Sequence, residues 1–104
     1  QGEQVIPASA VASISGGGDP AKFAGAGYTT LPGGSYRSQW WALHNENGAY
    51  SARGIHGQAI YIDPTAEMVI ARFATYPISF NAAIDPTSLP AYQAVADYLL
   101  TKQP

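Results

Sequence analysis

The sequence predicts an α+β fold: an antiparallel meander of about four strands, with a short N-terminal helix and a closing C-terminal amphipathic helix. Three observations carry that expectation. Residues 36–75 hold aromatic and β-branched runs separated by turn signals. Asn47-Gly48 in their midst suits a tight hairpin, because both residue types tolerate positive φ. Leu89, Tyr92, Val95, Ala96, Leu99 and Leu100 fall on one face at helical spacing, and such a helix needs a sheet to lie on.

In chain order, Ile6, Ala10, Val11 and Ile14 recur at helical spacing. Pro7 suits the first turn, and Gly16-Gly17-Gly18 ends the helix. Asp19 to Ser35 is rich in Gly, Pro and Thr and reads as a loop with one turn at Pro20 to Phe23. A loop of that length in a small domain points to function. Tyr36 to His44 forms the first predicted strand, Asn45 to Gly48 the turn, and Ala49 to His56 the second strand. Gly57 offers a bend before a third strand at Gln58 to Ile62. Asp63-Pro64-Thr65-Ala66 makes a turn, with proline pre-setting φ. Glu67 to Thr75 is the fourth strand, and its near-continuous apolar run predicts burial on both faces, Arg72 excepted. Tyr76 to Thr87 is a second loop. Ser88 is placed to cap the last helix, with Pro90 in its first turn and Gln93, Asp97 and Lys102 off the apolar face.

A chain of 104 residues allows one domain and only a modest core. Hydrophobic residues make up 46% and charged residues 12%. The charged share is about half of ordinary globular usage, so part of the surface is expected to be covered. The net charge is -2, and Lys22, Arg37, Arg53, Arg72 and Lys102 are scattered. That pattern excludes the basic footprint of a nucleic-acid binder. The apolar runs are too short to span a membrane, and the first residues carry no Lys/Arg-then-apolar leader pattern. The absence of cysteine excludes a disulfide framework and thiolate metal sites, and it leaves the compartment open.

Several groupings bear on chemistry. His44, Glu46 and His56 could converge across the hairpin, but their spacing matches no metal motif, so no metal site is expected. Ser51, His56 and Asp63 are the residue types of a catalytic triad, without a Gly-x-Ser-x-Gly elbow. Gly16 to Gly18 ends a helix instead of starting one, unlike a phosphate loop. Trp40 and Trp41 alternate across a strand, so one belongs to the core and the other is free to wall a binding site. Gly54-Ile55-His56-Gly57 places two glycines inside a strand pattern. Such glycines mark either a corner-turning bulge or the close approach of a ligand, where a free N–H can serve an oxyanion.

Tyr36-x-x-x-Trp40-Trp41, Gly54-Ile55-His56-Gly57-Gln58-x-Ile60-Tyr61-Ile62-Asp63-Pro64 and Met68-Val69-Ile70-Ala71 together resemble the C-terminal part of serine hydrolases of the β-lactamase/penicillin-binding superfamily. The resembling branch is the class C-like one, with its 6-aminohexanoate-dimer hydrolases and carboxylesterases. The resemblance covers most of the chain, so residues 1–104 are expected to form the C-terminal portion of such a domain. In the superfamily a nucleophilic Ser sits in Ser-x-x-Lys, a Tyr-x-Asn assists, and a Lys-Thr-Gly strand borders the site. The third motif maps to Ala52-Arg53-Gly54, departing from the pattern at its first two positions. Loss of its Lys speaks for amide or ester substrates over β-lactams.

The resemblance further implies that Ile55 offers its backbone N–H to an oxyanion hole, that Trp41 lines the acyl pocket, and that Ala52, Arg53, Gly54 and His56 border the substrate. It implies no cofactor. Neither Ser-x-x-Lys nor Tyr-x-Asn occurs in the chain. The chain is therefore expected to be inactive alone. Its expected partners are the nucleophile-bearing N-terminal remainder of such a hydrolase, or another copy of itself, with a small amide or ester as substrate of the complete enzyme. The alternative expectation is a non-catalytic interaction module.

Overall fold

Five antiparallel strands, in the order β1-β2-β3-β4-β5, form one sheet in a computed structural model that describes residues 2–103. The strands are β1 (Ser35–Arg37), β2 (Trp40–Ala42), β3 (Tyr50–Arg53), β4 (Ala59–Asp63) and β5 (Met68–Arg72). Three helices accompany them: α1 (Ala8–Gly16), α2 (Pro20–Gly25) and α3 (Asp85–Leu100). The expected α+β meander is thus present. The first predicted strand is in fact two, because Arg37 pairs with Trp40 and leaves Ser38-Gln39 as a two-residue turn. Both turn residues take positive φ, 51° and 71°. A two-residue hairpin demands that twist whatever residues occupy it, which is why the sequence concealed it.

The Asn47-Gly48 hairpin is present, with a different backbone from the one expected. Only Gly48 has positive φ, 68°. Its N–H donates to the Asn45 carbonyl at 3.1 Å, and the Asn45 side chain accepts from the Ala49 N–H at 2.9 Å. The turn therefore spans four residues, with glycine in its left-handed position.

Residues directly opposite one another across a sheet share a face. Trp41, Ser51, Tyr61 and Ile70 form one such row, and Arg53, Ala59 and Arg72 another on the same side. This face is covered by α3. The core lies between them, with Ala49, Tyr61, Met68 and Ala96 buried and Leu89, Tyr92, Leu99 and Leu100 packed against them. Tyr61 and Tyr92 meet at 4.9 Å between ring centres. Arg72 donates to the Ser88 hydroxyl at 2.6 Å, tying β5 to α3.

The opposite face is mostly bare. Ile60, Val69 and Phe73 are 44%, 66% and 92% exposed. β5 was expected to be buried on both sides. Among the described residues it is buried on one only, because no second layer lies over its outer positions. Trp40 packs edge-on to Tyr50, at 5.4 Å, and α1 lies at the β2 end, where Gly17 fits against Ser35, Ala42 and His44 too closely for any side chain.

Two helices differ in extent from the expectation. Asp19 caps α2 by accepting from the Ala21 N–H at 2.9 Å, which turns the predicted single turn into a short helix. α3 begins at Asp85, with Pro86 in its first turn. Ser88 is buried inside the helix as the acceptor for Arg72, and Pro90 sits beyond the first turn.

The Tyr61 hydroxyl is buried and has no hydrogen-bond partner among the described residues. The Asn45 amide beside it is engaged by Gln93 and the Ala49 N–H. Desolvation, reinforced by the charge of Asp63, raises the Tyr61 pKa above its ordinary value. A raised folded pKa means that ionisation of Tyr61 takes nothing from stability below the unfolded value of 10.0, and that stability falls as the pH rises from there toward the folded value. Tyr61→Phe removes the unsatisfied hydroxyl, and it should stabilise the chain by about 1 kcal/mol at neutral pH. It should also flatten the alkaline loss of stability. Urea unfolding at pH 7 and about pH 10.5 checks both effects.

Candidate active-site wall

Strand β3 stops at Arg53 because the next residues turn the corner. Ile55–Gly57 form a single 3-10 turn, in which His56 takes a left-handed conformation at φ 58°. The second predicted strand, drawn through His56, therefore ends three residues early. Each bracketing glycine has a physical reason. A Cβ on Gly54 would come within 2.9 Å of the Gln58 Cβ. Gly57 has φ 90°, and a Cβ there would lie 2.7 Å from the Tyr76 ring.

The segment 74–81 clamps this turn. The His56 N–H donates to the Ser79 carbonyl at 3.1 Å, and the Tyr76 N–H donates back to the His56 carbonyl at 3.1 Å. The His56 ring pairs through Nδ1 with the Tyr76 carbonyl at 2.6 Å, so that nitrogen carries the proton. The Gln58 side chain imitates a strand: it donates to the Ala74 carbonyl and accepts from the Ala74 N–H at 3.0 Å. Asn81 bridges both ends of the turn. Its Nδ2 donates to the Gly54 carbonyl at 2.8 Å, and its Oδ1 accepts from the Gly57 N–H at 3.0 Å.

Beside the turn lies an open cleft of ≈ 280 Å³ whose lining includes Trp41, Arg53, Gly54, Ile55, Phe80 and Asn81. Trp41 is held by rings. Phe23, Tyr28 and Tyr36 stand edge-on to it at 5.9, 5.2 and 4.9 Å. The Arg53 guanidinium lies 5.5 Å from the Trp41 ring centre. Arg53 is also ion-paired with Asp85, whose second oxygen accepts from the Thr30 hydroxyl at 2.7 Å. One buried carboxylate thus joins the first loop, β3 and the start of α3. Because Asp85 neutralises it, Arg53 is not a bare anion receptor.

The structure therefore brings Trp41, Arg53, Gly54 and Ile55 to one cleft. It does not bring Ala52 there, since Ala52 shares a row with Ile60 and Ala71 on the bare face. The His56 ring is engaged by Tyr76, away from the lining of the cleft. Among the described residues, no three His, Cys, Asp or Glu side chains converge as a metal site. The Ser51, His56 and Asp63 grouping is not assembled. The Ser51 hydroxyl turns to the Ala52 carbonyl, and Asp63 accepts from Asn47 and the Ala66 N–H.

A Ser-His pair does occur at positions that no sequence motif marks. Ser35 Oγ and His44 Nε2 are 2.6 Å apart. Ser35 is fully buried and also accepts from the Gly18 N–H at 2.9 Å, so the pair ties the segment after α1 to the hairpin, and the Ser35 hydroxyl is closed to substrate.

Compared with known proteins, the chain is 38% identical over 77 residues to the 6-aminohexanoate-dimer hydrolase of Paenarthrobacter ureafaciens. The chain matches one segment of the 6-aminohexanoate-dimer hydrolase family. That alignment covers 73% of this chain and 20% of the Paenarthrobacter protein. A Bacillus anthracis structure assigned to the same hydrolases superposes with a TM-score of 0.59 at 40% identity, over 70% of this chain and 18% of that one. The chain thus spans about a fifth of the length of each of these hydrolases. No family model matches it.

No sequence pattern marks Asp85, Thr30 or Asn81. Each stands in a segment without periodicity, and their partners lie 55 and 27 residues away in the case of Thr30 and Asn81. Pro86 was the only local sign that a helix begins beside Asp85.

Proposed function

We propose that this chain is the oxyanion strand and pocket wall of a serine hydrolase that cleaves amides or esters through an acyl-enzyme, as its β-lactamase-like resemblance implies. The observation that carries the reading is the Ile55 N–H. It has no hydrogen-bond partner among the described residues, while the N–H groups of Gly54, His56, Gly57 and Gln58 are all engaged. A spare donor on a clamped turn, at a cleft walled by Trp41, is what stabilises the negative oxygen of a tetrahedral intermediate. The names of its relatives support a hydrolase of small amides.

In this reading the nucleophile and its proton acceptor come from another segment. Trp41 and the aliphatic stem of Arg53 supply apolar contact for the acyl chain, and Ile55 holds the developing charge. The nucleophile-bearing part of the hydrolase is the partner, and the bare sheet face with Ile60, Val69 and Phe73 supplies apolar surface for it.

The test compares two preparations. Expressed alone, the chain should turn over no nitrophenyl ester and take no fluorophosphonate label. Grafted into a 6-aminohexanoate-dimer hydrolase in place of the matching segment, it should support turnover and labelling of the host's serine. A labelled serine in the isolated chain, or a folded graft with no activity, would sink the proposal.

A further inference from the structure

Resting on the oxyanion reading, and going beyond it, we infer that Asn81 is a positioning residue that holds the Gly54–Gly57 turn in the one shape that leaves the Ile55 N–H unpartnered at the cleft. The turn covers four residues, and its ends are joined by a single side chain. Asn81 Nδ2 donates to the Gly54 carbonyl at 2.8 Å, and Oδ1 accepts from the Gly57 N–H at 3.0 Å. An amide alone offers a donor and an acceptor at that separation, so neither Asp nor Leu reproduces both bonds.

The remaining contacts leave no redundancy at these two atoms. Gly54 uses its N–H on the Gln58 carbonyl at 2.9 Å, and Gln58 returns its own to the Ile55 carbonyl at 3.4 Å. The Gly57 N–H has Asn81 as its partner and the Gly54 carbonyl has the same side chain. Without Asn81 the Gly57 N–H competes for carbonyls nearby, and the turn is free to rotate Ile55 away. Asn81 itself lies in a 3-10 turn, Asn81–Ala83, immediately ahead of α3, whose first residue Asp85 binds Arg53. The side chain is therefore fixed from the same anchor that fixes the end of β3.

The experiment uses the 15N-labelled chain, with amide exchange and a titration with sodium hexanoate as the anionic probe. In the wild type, Ile55 should exchange fast, Gly57 slowly, and hexanoate should shift the Ile55 amide resonance. Asn81→Ala should speed Gly57 exchange by about tenfold and abolish the hexanoate shift, with Tyr61 and Ile62 exchange unchanged. Wild-type behaviour of Gly57 and Ile55 in that variant overturns the inference. Loss of protection at Tyr61 and Ile62 as well also overturns it, because Asn81 would then serve the fold as a whole.

If Asn81→Ala does not fold, Asn81→Asp decides. It keeps the acceptor and loses the donor, so Gly57 should stay protected while the hexanoate shift weakens; an undiminished shift counts against the role. A wild type whose Ile55 amide ignores hexanoate, with Gly57 still dependent on Asn81, sinks the oxyanion reading and not the bridge.

Discussion

Gly57→Ala should cost the fold about 2–4 kcal/mol. A non-glycine residue in the left-handed region costs roughly 1–2 kcal/mol, and forcing a methyl into packed space adds about 1–3. Both penalties apply, since Gly57 has φ 90° and the new Cβ would sit 2.7 Å from the Tyr76 ring and 3.1 Å from the Ala74 Cβ. Relief would require Tyr76 to move, and Tyr76 is bonded to His56 through its N–H and carbonyl. The damage should therefore spread to the cleft: amide exchange at His56 and Gly57 should rise together. Urea unfolding measures the cost, and a change below about 0.5 kcal/mol would refute the account of this glycine.

Asp85→Ala should be comparably severe, at about 3 kcal/mol, because it leaves a mostly buried cation without its partner. The side chains of Arg53 and Asp85 are 14% and 5% exposed, so water screens the pair little. The Thr30 hydroxyl loses its acceptor at the same time. Arg53→Met combined with Asp85→Leu should recover most of the loss, since well-packed apolar residues replace a buried pair at little net cost. A single Asp85→Ala that unfolds no more easily than the wild type would show the pair to be worth nothing. A double variant as unstable as the single one would show that packing, and not charge, dominates.

The parts of this architecture that repeat along the chain were legible in the sequence. The strands at residues 50–53, 59–63 and 68–72 follow from aromatic and β-branched runs between turn residues, and α3 follows from its 3.6 spacing. The Gly54–Gly57 corner was visible as two glycines out of place in a strand. What escaped was set by contacts distant in sequence. Ser38 and Gln39 occupy a turn that the closing Arg37–Trp40 pair imposes, against their own preferences. Of the residues that the resemblance implies for the site, Trp41, Arg53, Gly54 and Ile55 share a cleft. Ala52 came with the motif that the resemblance maps to Ala52-Arg53-Gly54, yet alternation sends Ala52 and Arg53 to opposite faces. The anchors Asp85, Thr30 and Asn81 have no local pattern, because a carboxylate that pairs across 32 residues looks in sequence like any other.

The order of the sheet bears on how the molecule is made as well as on what it is. Every strand pairs with its neighbour in the chain, so no crossover has to close before another pairing can start. Loop-closure entropy stays small at each step, and sheets of this kind assemble quickly for their size. The longest closure among the described residues is the arrival of α3, where Asp85 meets Arg53 and reaches Thr30 55 residues back. The meander can thus zip hairpin by hairpin, and the cleft takes its final form only when the last helix docks.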